Sequence, residues 1–215
     1  MPGGSPWLKT KKEGEEAVFA EFPEATIFRP CEMYGFNDHL VRYYNSWWRK
    51  SFGAKGMSLW KKGTETMRSP LFVEDLTSGI MAALDDPGTR GMIFEAMGPE
   101  KFLQADLCDW MHEVMHKDPE DWGYTRTDLR FDPFTFGKSV AGTLFPFGFS
   151  LKYFKSPTLE RLERSQLNEV SEGYPSITDL GVKLHKVEDK MPWELLMFRA
   201  FQDHEYRYLF LNYYV

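Results

Sequence analysis

Cysteine, positive charge and long apolar runs are all scarce in this 215-residue chain. The two cysteines, Cys31 and Cys108, cannot form a disulfide scaffold, which indicates a compartment that keeps thiols reduced. The formal net charge of −6 at pH 7 gives no global positive field, so we expect no nucleic-acid partner. Because no apolar run of about 18 residues occurs, we also expect no membrane-spanning helix.

Glycine-rich phosphate loops are missing as well. A dinucleotide-binding fold needs a G-x-G-x-x-G turn after its first strand, where backbone N–H groups face the pyrophosphate. The sequence has neither this pattern nor a Walker G-x-x-x-x-G-K, and its isolated pairs Gly53/Gly56 and Gly88/Gly91 are typical of turns. We therefore expect any pyrophosphate loop to lie outside this chain.

Aromatic residues, in contrast, are abundant. They make up 16% of the chain and include seven Trp and 18 Phe. The length and the 42% hydrophobic content suit one ordinary domain, with room for a smaller appendage. Since aromatic side chains dominate the energetics of cores and interfaces, the composition also favours a large partner surface.

The spacing of apolar residues predicts helices alternating with short strands, and hence an α/β fold with a parallel sheet. A Gly-rich, polar segment lies over 53–69. Helices are predicted at 7–22, at 38–52 behind an Asn37 cap, at 75–84 and at 101–117, and strands at 25–30, 71–73 and 91–99.

After Pro119 the periodicity weakens into loops rich in aromatic residues, with later helices expected at 159–170 and 192–210. We therefore divide the chain into residues 1–118 and a partner-interaction region over 119–215. Within the second region, the lysine-flanked segment 138–154 fits peripheral contact with lipid headgroups. It equally fits an aromatic loop packed against neighbouring proteins, and both alternatives stay open.

One short motif suggests metal chemistry. His112-Glu113-x-x-His116 would place two imidazoles on one helix face, as in zinc peptidases, where the Glu activates a bound water. A catalytic zinc needs a third protein ligand, and nothing in the sequence fixes the downstream candidates Glu160 and Glu163. Because such short motifs also occur by chance, a zinc metallopeptidase is kept as an alternative only.

Trp7 and Lys11 form a second candidate pair. Their spacing is that of the Tyr-x-x-x-Lys pair of short-chain dehydrogenases, where the lysine lowers the tyrosine pKa and bonds the nicotinamide ribose. Indole has only an N–H donor, so Trp7 cannot act as a general acid or base.

Four segments extend this pair into a family resemblance. WLKTKKEGEEAV, ATIFRPCEMYG, SPLFVEDLTSGIMAAL and GMIFEAMGP follow the order and spacing of the extended short-chain dehydrogenase/reductase superfamily, from its catalytic helix onward. Within it, the chain most resembles the dehydrogenase-like accessory subunits of mitochondrial respiratory complex I. The residues that carry this closer resemblance are Trp7-Leu8, Lys11, Gly14-Glu15, Asp179–Val182 and Pro192–Leu195.

The resemblance implies the C-terminal half of a Rossmann-type parallel sheet, followed by a helical and loop-rich region. It also implies a peripheral subunit on the matrix side of the mitochondrial inner membrane, whose partners are other complex I subunits of the peripheral arm and the membrane-arm junction. The family holds NADPH without known turnover. By this resemblance Lys11 would face the nicotinamide ribose, and the turn flanking the nicotinamide ring would consist of Pro30, Cys31, Glu32 and Met33.

The resemblance further implies that the chain begins at the catalytic helix, so that the glycine-rich turn and the catalytic Ser would precede residue 1. We therefore expect this chain alone not to hold NADPH. With Trp7 in place of the catalytic Tyr, we expect no enzymatic activity and a role in assembly and stability of the complex. The alternative is a catalytic extended dehydrogenase or epimerase, completed by a missing N-terminal half.

Overall fold

The computed structural model describes residues 6–36, 38, 40–45, 50–51, 55–117, 119–120, 123–144 and 159–199, which form seven α-helices and nine short strands. The helices are α1 (Pro6–Glu21), α2 (Leu40–Asn45), α3 (Val73–Asp85), α4 (Gln104–Val114), α5 (Pro133–Leu144), α6 (Leu159–Arg164) and α7 (Val187–Leu195). The strands are β1 (Ile27–Pro30), β2 (Met33–Tyr34), β3 (Lys50–Ser51), β4 (Gly56–Leu59), β5 (Met67–Arg68), β6 (Leu71–Phe72), β7 (Ile93–Ala96), β8 (Phe102–Leu103) and β9 (Thr125–Asp128).

The strands in this part of the chain form four small sheets, in which parallel pairs are prominent. β1 runs parallel to β7, with Ile27 opposite Ile93. β2 runs parallel to β6, while β4 lies between a parallel partner, β9, and an antiparallel one, β3. β5 and β8 form an antiparallel pair. The predicted α/β class is therefore confirmed.

Each helix predicted in the first half has a counterpart in the structure, but two of the predicted ranges are too long. The prediction over 38–52 is wrong at Lys50–Ser51, which form β3, and the prediction over 101–117 is wrong at Phe102–Leu103, which form β8, because pairing with a neighbouring strand overrides the local helical pattern. α1 matches the helix expected over 7–22, and α4 lies within 101–117. α3 begins at Val73, slightly before the predicted start, with Glu74 and Asp75 in its first turn, where carboxylates favour the positive end of the helix dipole. None of the described helices is long and apolar enough to cross a lipid bilayer.

Asp38 caps the start of α2. Its side-chain Oδ1 accepts hydrogen bonds from the backbone N–H groups of Val41 (3.1 Å) and Arg42 (3.3 Å), which would otherwise lack partners at a helix start. The predicted cap, Asn37, lies outside the described residues, as do residues 46–49 and 52 of the predicted helix.

Regular structure occurs in two stretches for which no helix or strand was predicted. The polar segment 53–69 contains β4, β5 and a 3₁₀ turn at Trp60–Gly63, and the prediction of loops directly after Pro119 is wrong because β9 and α5 lie there. Strands of two to four residues are too short to show alternation in the sequence. The division at 118/119 stays a prediction, although β9 pairs with β4 across it. The aromatic segment 145–154 and residues 200–210 of the expected last helix lie outside the described part.

Two clusters of buried apolar side chains form the core. The larger joins α2, α4 and α7 to β2, β4 and β6, and α4 contributes Leu107 and Met111, which are 1% and 0% exposed. The smaller packs Ile177 against β7, where the ring centroids of Phe28 and Phe94 are 5.6 Å apart. Burial of this apolar surface is the main force that holds the strands and helices together.

Candidate functional site

A cleft of about 560 Å³ opens between α1, the turn after β1, β5 and the segment 161–169. It brings Trp7 together with the predicted turn residues Pro30, Cys31, Glu32 and Met33. Leu8 lines the cleft beside Trp7, and the other lining residues come from distant parts of the sequence: Tyr43, Arg68, Arg161, Arg164, Ser165, Leu167, Asn168 and Glu169.

Backbone hydrogen bonds fix the turn after β1 on both sides. The N–H of Cys31 donates to the carbonyl oxygen of Ala96 (3.0 Å), and the N–H of Leu71 donates to that of Glu32 (3.1 Å). The Cys31 thiol contacts the carbonyl oxygen of Ser69. Burial raises the pKa of this thiol, so it stays protonated at neutral pH and is a poor nucleophile.

Glu169 closes the cleft opposite this turn. Its carboxylate accepts hydrogen bonds from the backbone N–H groups of Glu32 (2.9 Å) and Ser69 (2.6 Å). Burial raises the pKa of Glu169, while these N–H groups and Arg68 oppose that shift. The N–H of Glu32, in the turn expected to flank a nicotinamide, therefore already has a partner within the chain.

Arg68 lies at the base of the cleft with a side chain that is 6% exposed. Its Nη1 is 3.8 Å from Oε2 of Glu32 and 3.6 Å from Oε1 of Glu169, and its Nη2 donates to the carbonyl oxygen of Ser165 (2.7 Å). Its buried Nε has no hydrogen-bond partner within the described part of the chain. The two carboxylates compensate a guanidinium that would be costly to bury alone.

α1 contributes Trp7 to the rim of the cleft. The Nζ atom of Lys11 lies 5.3 Å from the centroid of the Trp7 ring, and the Cζ atom of Arg164 lies 4.3 Å from it. Both cations are within cation–π range of the indole. Lys11 is exposed and does not line the cleft, so the structure gathers four of the five predicted cofactor residues and leaves Lys11 one helical turn away.

Sequence reasoning missed four charged residues of this site: Arg68, Arg161, Arg164 and Glu169. Arg161 and Arg164 were visible only as parts of a charged helix, and such runs usually face solvent. Their place in the cleft depends on how α6 packs against other elements, which no local pattern encodes.

The His-Glu-x-x-His motif is divided between a helix and the turn after it. α4 ends at Val114 and His116 has a φ of +55°, so the prediction that both imidazoles share one helix face is wrong. His112 is 1% exposed, with Nδ1 2.7 Å from the carbonyl oxygen of Cys108 and its ring stacked on Tyr124 at 3.8 Å. Among the described residues, no group of three His, Cys, Asp or Glu side chains is placed to hold a metal ion.

The fold thus defines a mixed α/β protein, whose cleft is lined by Trp7 and the turn after β1. Relatives of the chain are known. The chain is 29% identical over 192 residues to NADH dehydrogenase (ubiquinone) 1 alpha subcomplex subunit 9, mitochondrial, of Mus musculus, which covers 88% of this chain and 46% of that protein. The Arabidopsis thaliana protein of the same name is 30% identical over 190 residues, with 84% and 44% covered.

A third relative carries a different name. The NADH-ubiquinone oxidoreductase 40 kDa subunit, mitochondrial, of Neurospora crassa is 31% identical over 111 residues, which are 52% of this chain and 28% of that protein. No family model matches the chain. The resemblance to this subunit of complex I is confirmed, and the chain spans less than half of the length of these relatives.

Proposed function

We propose that the chain is a non-catalytic accessory subunit of mitochondrial respiratory complex I. Its role is to support assembly and stability of the peripheral arm near the membrane-arm junction, on the matrix side of the inner membrane. The observation that carries this proposal is the 29% identity over 88% of the chain to a mitochondrial NADH dehydrogenase subunit.

The chemistry of Trp7 supports the absence of catalysis. In the superfamily pattern this position holds the hydroxyl that exchanges a proton with substrate, whereas an indole offers only an N–H donor. Among the described residues that line the cleft, the one other aromatic ring is that of Tyr43, which is 1% exposed and lies under the guanidinium of Arg161. Burial of that hydroxyl end keeps Tyr43 from replacing the missing acid.

Exposed apolar side chains support a role in assembly. Phe131, just before α5, and Phe134 and Phe136, in its first turn, are 80%, 65% and 57% exposed. On α3, Met81 and Leu84 are 56% and 74% exposed. Exposed aromatic and aliphatic side chains of this kind serve as anchors in partner pockets, so we propose that other complex I subunits cover them.

We also propose that β1 and β7 belong to the C-terminal half of a Rossmann-type sheet. They are parallel neighbours, and α3 lies between them in the chain, which is the arrangement of a βαβ crossover. Gly79 of α3 lets the helix approach Ile177 closely, since an added Cβ would lie 3.3 Å from its side chain.

NADPH, the cofactor that the resemblance implies, fits the described residues only in part. Cys31 and Met33 offer walls for a ring, but Glu169 holds the N–H of Glu32 and Lys11 lies outside the cleft. We therefore propose that this chain alone does not bind NADPH tightly. Calorimetry of the 215-residue chain should give no saturable binding at low micromolar NADPH, and a saturable isotherm in that range would contradict the proposal.

The assembly role is tested on the endogenous protein. A small epitope tag is added by genome editing, and mitochondrial complexes are separated on blue-native gels. We expect the tagged chain to migrate with complex I and to disappear from that band when the peripheral arm is absent. Migration only as a free chain of about 25 kDa would contradict the proposal.

A matched pair of substitutions links this result to the exposed aromatic residues. Phe134→Ser with Phe136→Ser should reduce incorporation, because both side chains are exposed and their loss costs the isolated chain little. Glu163→Ser, on the neighbouring exposed surface of α6, is the control and should incorporate normally.

A further inference from the structure

Helix α3 carries a second, mostly apolar stripe on the side that faces away from the core. Its buried side holds Asp75, Gly79 and Ala83. The residues of the other side, here called the outer stripe, recur every three or four positions and are exposed: Val73, Thr77, Ile80, Met81 and Leu84. This spacing places them on one face of the helix. A helix that contacted only the core would carry polar side chains there, so the outer stripe indicates a second contact.

The hydroxyl groups on this side of α3 bond to the helix itself. Thr77 Oγ1 donates to the carbonyl oxygen of Val73 (3.1 Å), and Ser78 Oγ donates to that of Glu74 (2.9 Å). Because both hydroxyls already have acceptors, covering them with a partner leaves no unsatisfied donor. The outer stripe can therefore lose its water at little cost.

Phe36 extends the outer stripe beyond the start of α3. A Cβ added to Gly35 would lie 2.5 Å from Cγ1 of Val73, so the loop before α2 passes directly against the first turn of α3. Phe36, the next residue in that loop, is 74% exposed. From Val73 to Leu84 the outer stripe is about 16 Å long, which is roughly three turns of helix. That length fits one face of a short helix of a partner.

Charge indicates which kind of partner fits. Helical spacing places the exposed carboxylates of Glu74 and Asp85 along the edge of the outer stripe, on the side of Met81. Within the described part of the chain, neither carboxylate forms an ion pair. None of the 13 residues of α3 is basic, so the α3 of a second copy offers no cation to this edge.

The same charges disfavour a membrane surface. Helices that lie on membranes carry Lys and Arg on their polar face, and anionic headgroups repel carboxylates. An acidic edge beside an apolar stripe is instead complementary to a protein helix with basic residues next to its own apolar stripe.

We propose that the outer stripe of α3 docks an amphipathic helix of another complex I subunit. This helix lays apolar side chains on Ile80 and Leu84 and places a Lys or Arg against Glu74 or Asp85. The inference rests on the proposed function, because it takes the partner from that complex. Leu84, the most exposed apolar residue of the stripe, is the anchor of the contact.

Photochemical cross-linking tests the identity of the partner. The epitope-tagged chain carries Leu84→p-benzoylphenylalanine, isolated complex I is irradiated, and mass spectrometry identifies the linked peptide. We expect a peptide of another subunit with apolar residues three or four positions apart and a Lys or Arg beside them. A link to lipid, to a second copy or to a peptide without a basic residue would overturn the proposal. The absence of a link in a complex that contains the chain would overturn it as well.

Charge reversal tests the acidic edge. Glu74→Lys with Asp85→Lys should reduce incorporation on blue-native gels by about threefold or more, because like charges would then meet across the contact. Asp106→Lys with Glu113→Lys makes the same change at exposed positions of α4 and should incorporate normally. Thermal midpoints of the isolated variants show whether both remain folded.

Equal incorporation of the two double variants would overturn the proposal. If the wild type itself does not migrate with complex I, the proposed function fails and the docking proposal fails with it. If the wild type migrates there but shows neither the expected link nor the charge effect, only the docking proposal fails.

Discussion

Helix α4 and helix α1 are held in the structure by different forces. α4 places Leu107 and Met111 in the larger core cluster, where they are 1% and 0% exposed. None of the 16 residues of α1 is buried. α1 is held mainly by polar and stacking contacts, in which Arg29 bonds Glu15 and Arg164 stacks on Trp7.

This difference distinguishes elements that are stable in the isolated chain from elements whose surfaces are left for contacts with other proteins. Apolar burial is the dominant source of folding free energy, so the elements around α4 can form an autonomous core. A helix joined to its neighbours by partly exposed ion pairs has little local stability and opens at low cost. We infer that α4 specifies the fold, and that α1 presents a surface whose stability depends on contacts with a partner.

The largest expected effect comes from breaking the core beneath α4. Met111→Ala removes a fully buried side chain and leaves a cavity, so we expect the free energy of unfolding to fall by about 2–5 kcal/mol. Urea unfolding followed by circular dichroism measures the change. Glu113→Ala, on the exposed side of the same helix, should change stability by less than about 0.5 kcal/mol. A loss below about 1 kcal/mol for Met111→Ala would show that α4 does not anchor the core.

A buried polar contact is expected to have the next largest effect. Asp132, 3% exposed, accepts hydrogen bonds from Thr135 Oγ1 (2.7 Å), from the N–H of Phe134 (3.0 Å) and from the hydroxyl of Ser58. Burial alone would raise the pKa of Asp132, but these donors outweigh it and hold the pKa below that of an ordinary aspartate. Asp132→Asn should therefore cost about 1–3 kcal/mol at pH 7.

The difference in free energy of unfolding between the wild type and Asp132→Asn should depend on pH, because proton binding is linked to folding. A carboxylate with a lowered folded-state pKa stabilises the protein above its unfolded pKa, and this contribution is lost as pH falls through the folded value. The difference in free energy of unfolding between the wild type and Asp132→Asn should therefore become smaller below about pH 4. The control is Asp106→Asn, at an exposed position in the first turn of α4. Its free energy of unfolding should differ from that of the wild type by less than about 1 kcal/mol. If the difference in free energy of unfolding between the wild type and Asp132→Asn stayed constant from pH 7 to pH 3, the lowered pKa of Asp132 would be contradicted.

The contrast between the two helices also explains what could be predicted from the sequence. α3 and α4 were predictable because apolar residues recur at helical spacing over 11 or more positions. β4 and β9, four residues each, were missed because a strand of that length in a parallel pair carries no distinctive pattern. The end of α4 was also missed, since His116 adopts positive φ without the glycine that usually marks such a stop.

The residues of the candidate site also differ in whether the sequence alone could predict them. Pro30, Cys31, Glu32 and Met33 were named as a group because the family resemblance covers this continuous stretch of the chain. Arg68 and Glu169 meet that turn through contacts 36 or more positions away in the sequence, such as the bond from Ser69 N–H to Glu169. Contacts across such separations depend on the packing of whole elements, and a single sequence does not record them.

A smaller effect is expected from the ion pair that joins α1 to β1. Nη2 of Arg29 lies 2.7 Å from Oε2 of Glu15, and the two side chains are 31% and 25% exposed. Arg29→Gln should lower global stability by no more than about 1 kcal/mol, because the pair is partly solvated. Hydrogen exchange should nevertheless become faster across residues 6–21. Lys12→Gln, which removes a looser pair with Glu16 at 3.8 Å, is the control and should leave exchange unchanged. Equal exchange in both variants would show that Arg29 does not hold α1.

The smallest expected effect on the isolated chain comes from Val18→Ser on α1. This substitution tests the difference between α1 and α4 most directly. Val18 is 46% exposed, so its loss should change the free energy of unfolding by less than about 0.5 kcal/mol. If α1 is covered by a partner in complex I, as we propose, a hydroxyl at this position would be buried against apolar surface and should reduce incorporation on blue-native gels. Lys9→Ser, an exposed position on the same helix, should affect neither measurement. Normal incorporation of Val18→Ser would place the interface elsewhere, whereas a clear loss of isolated-chain stability would show that α1 belongs to the autonomous core.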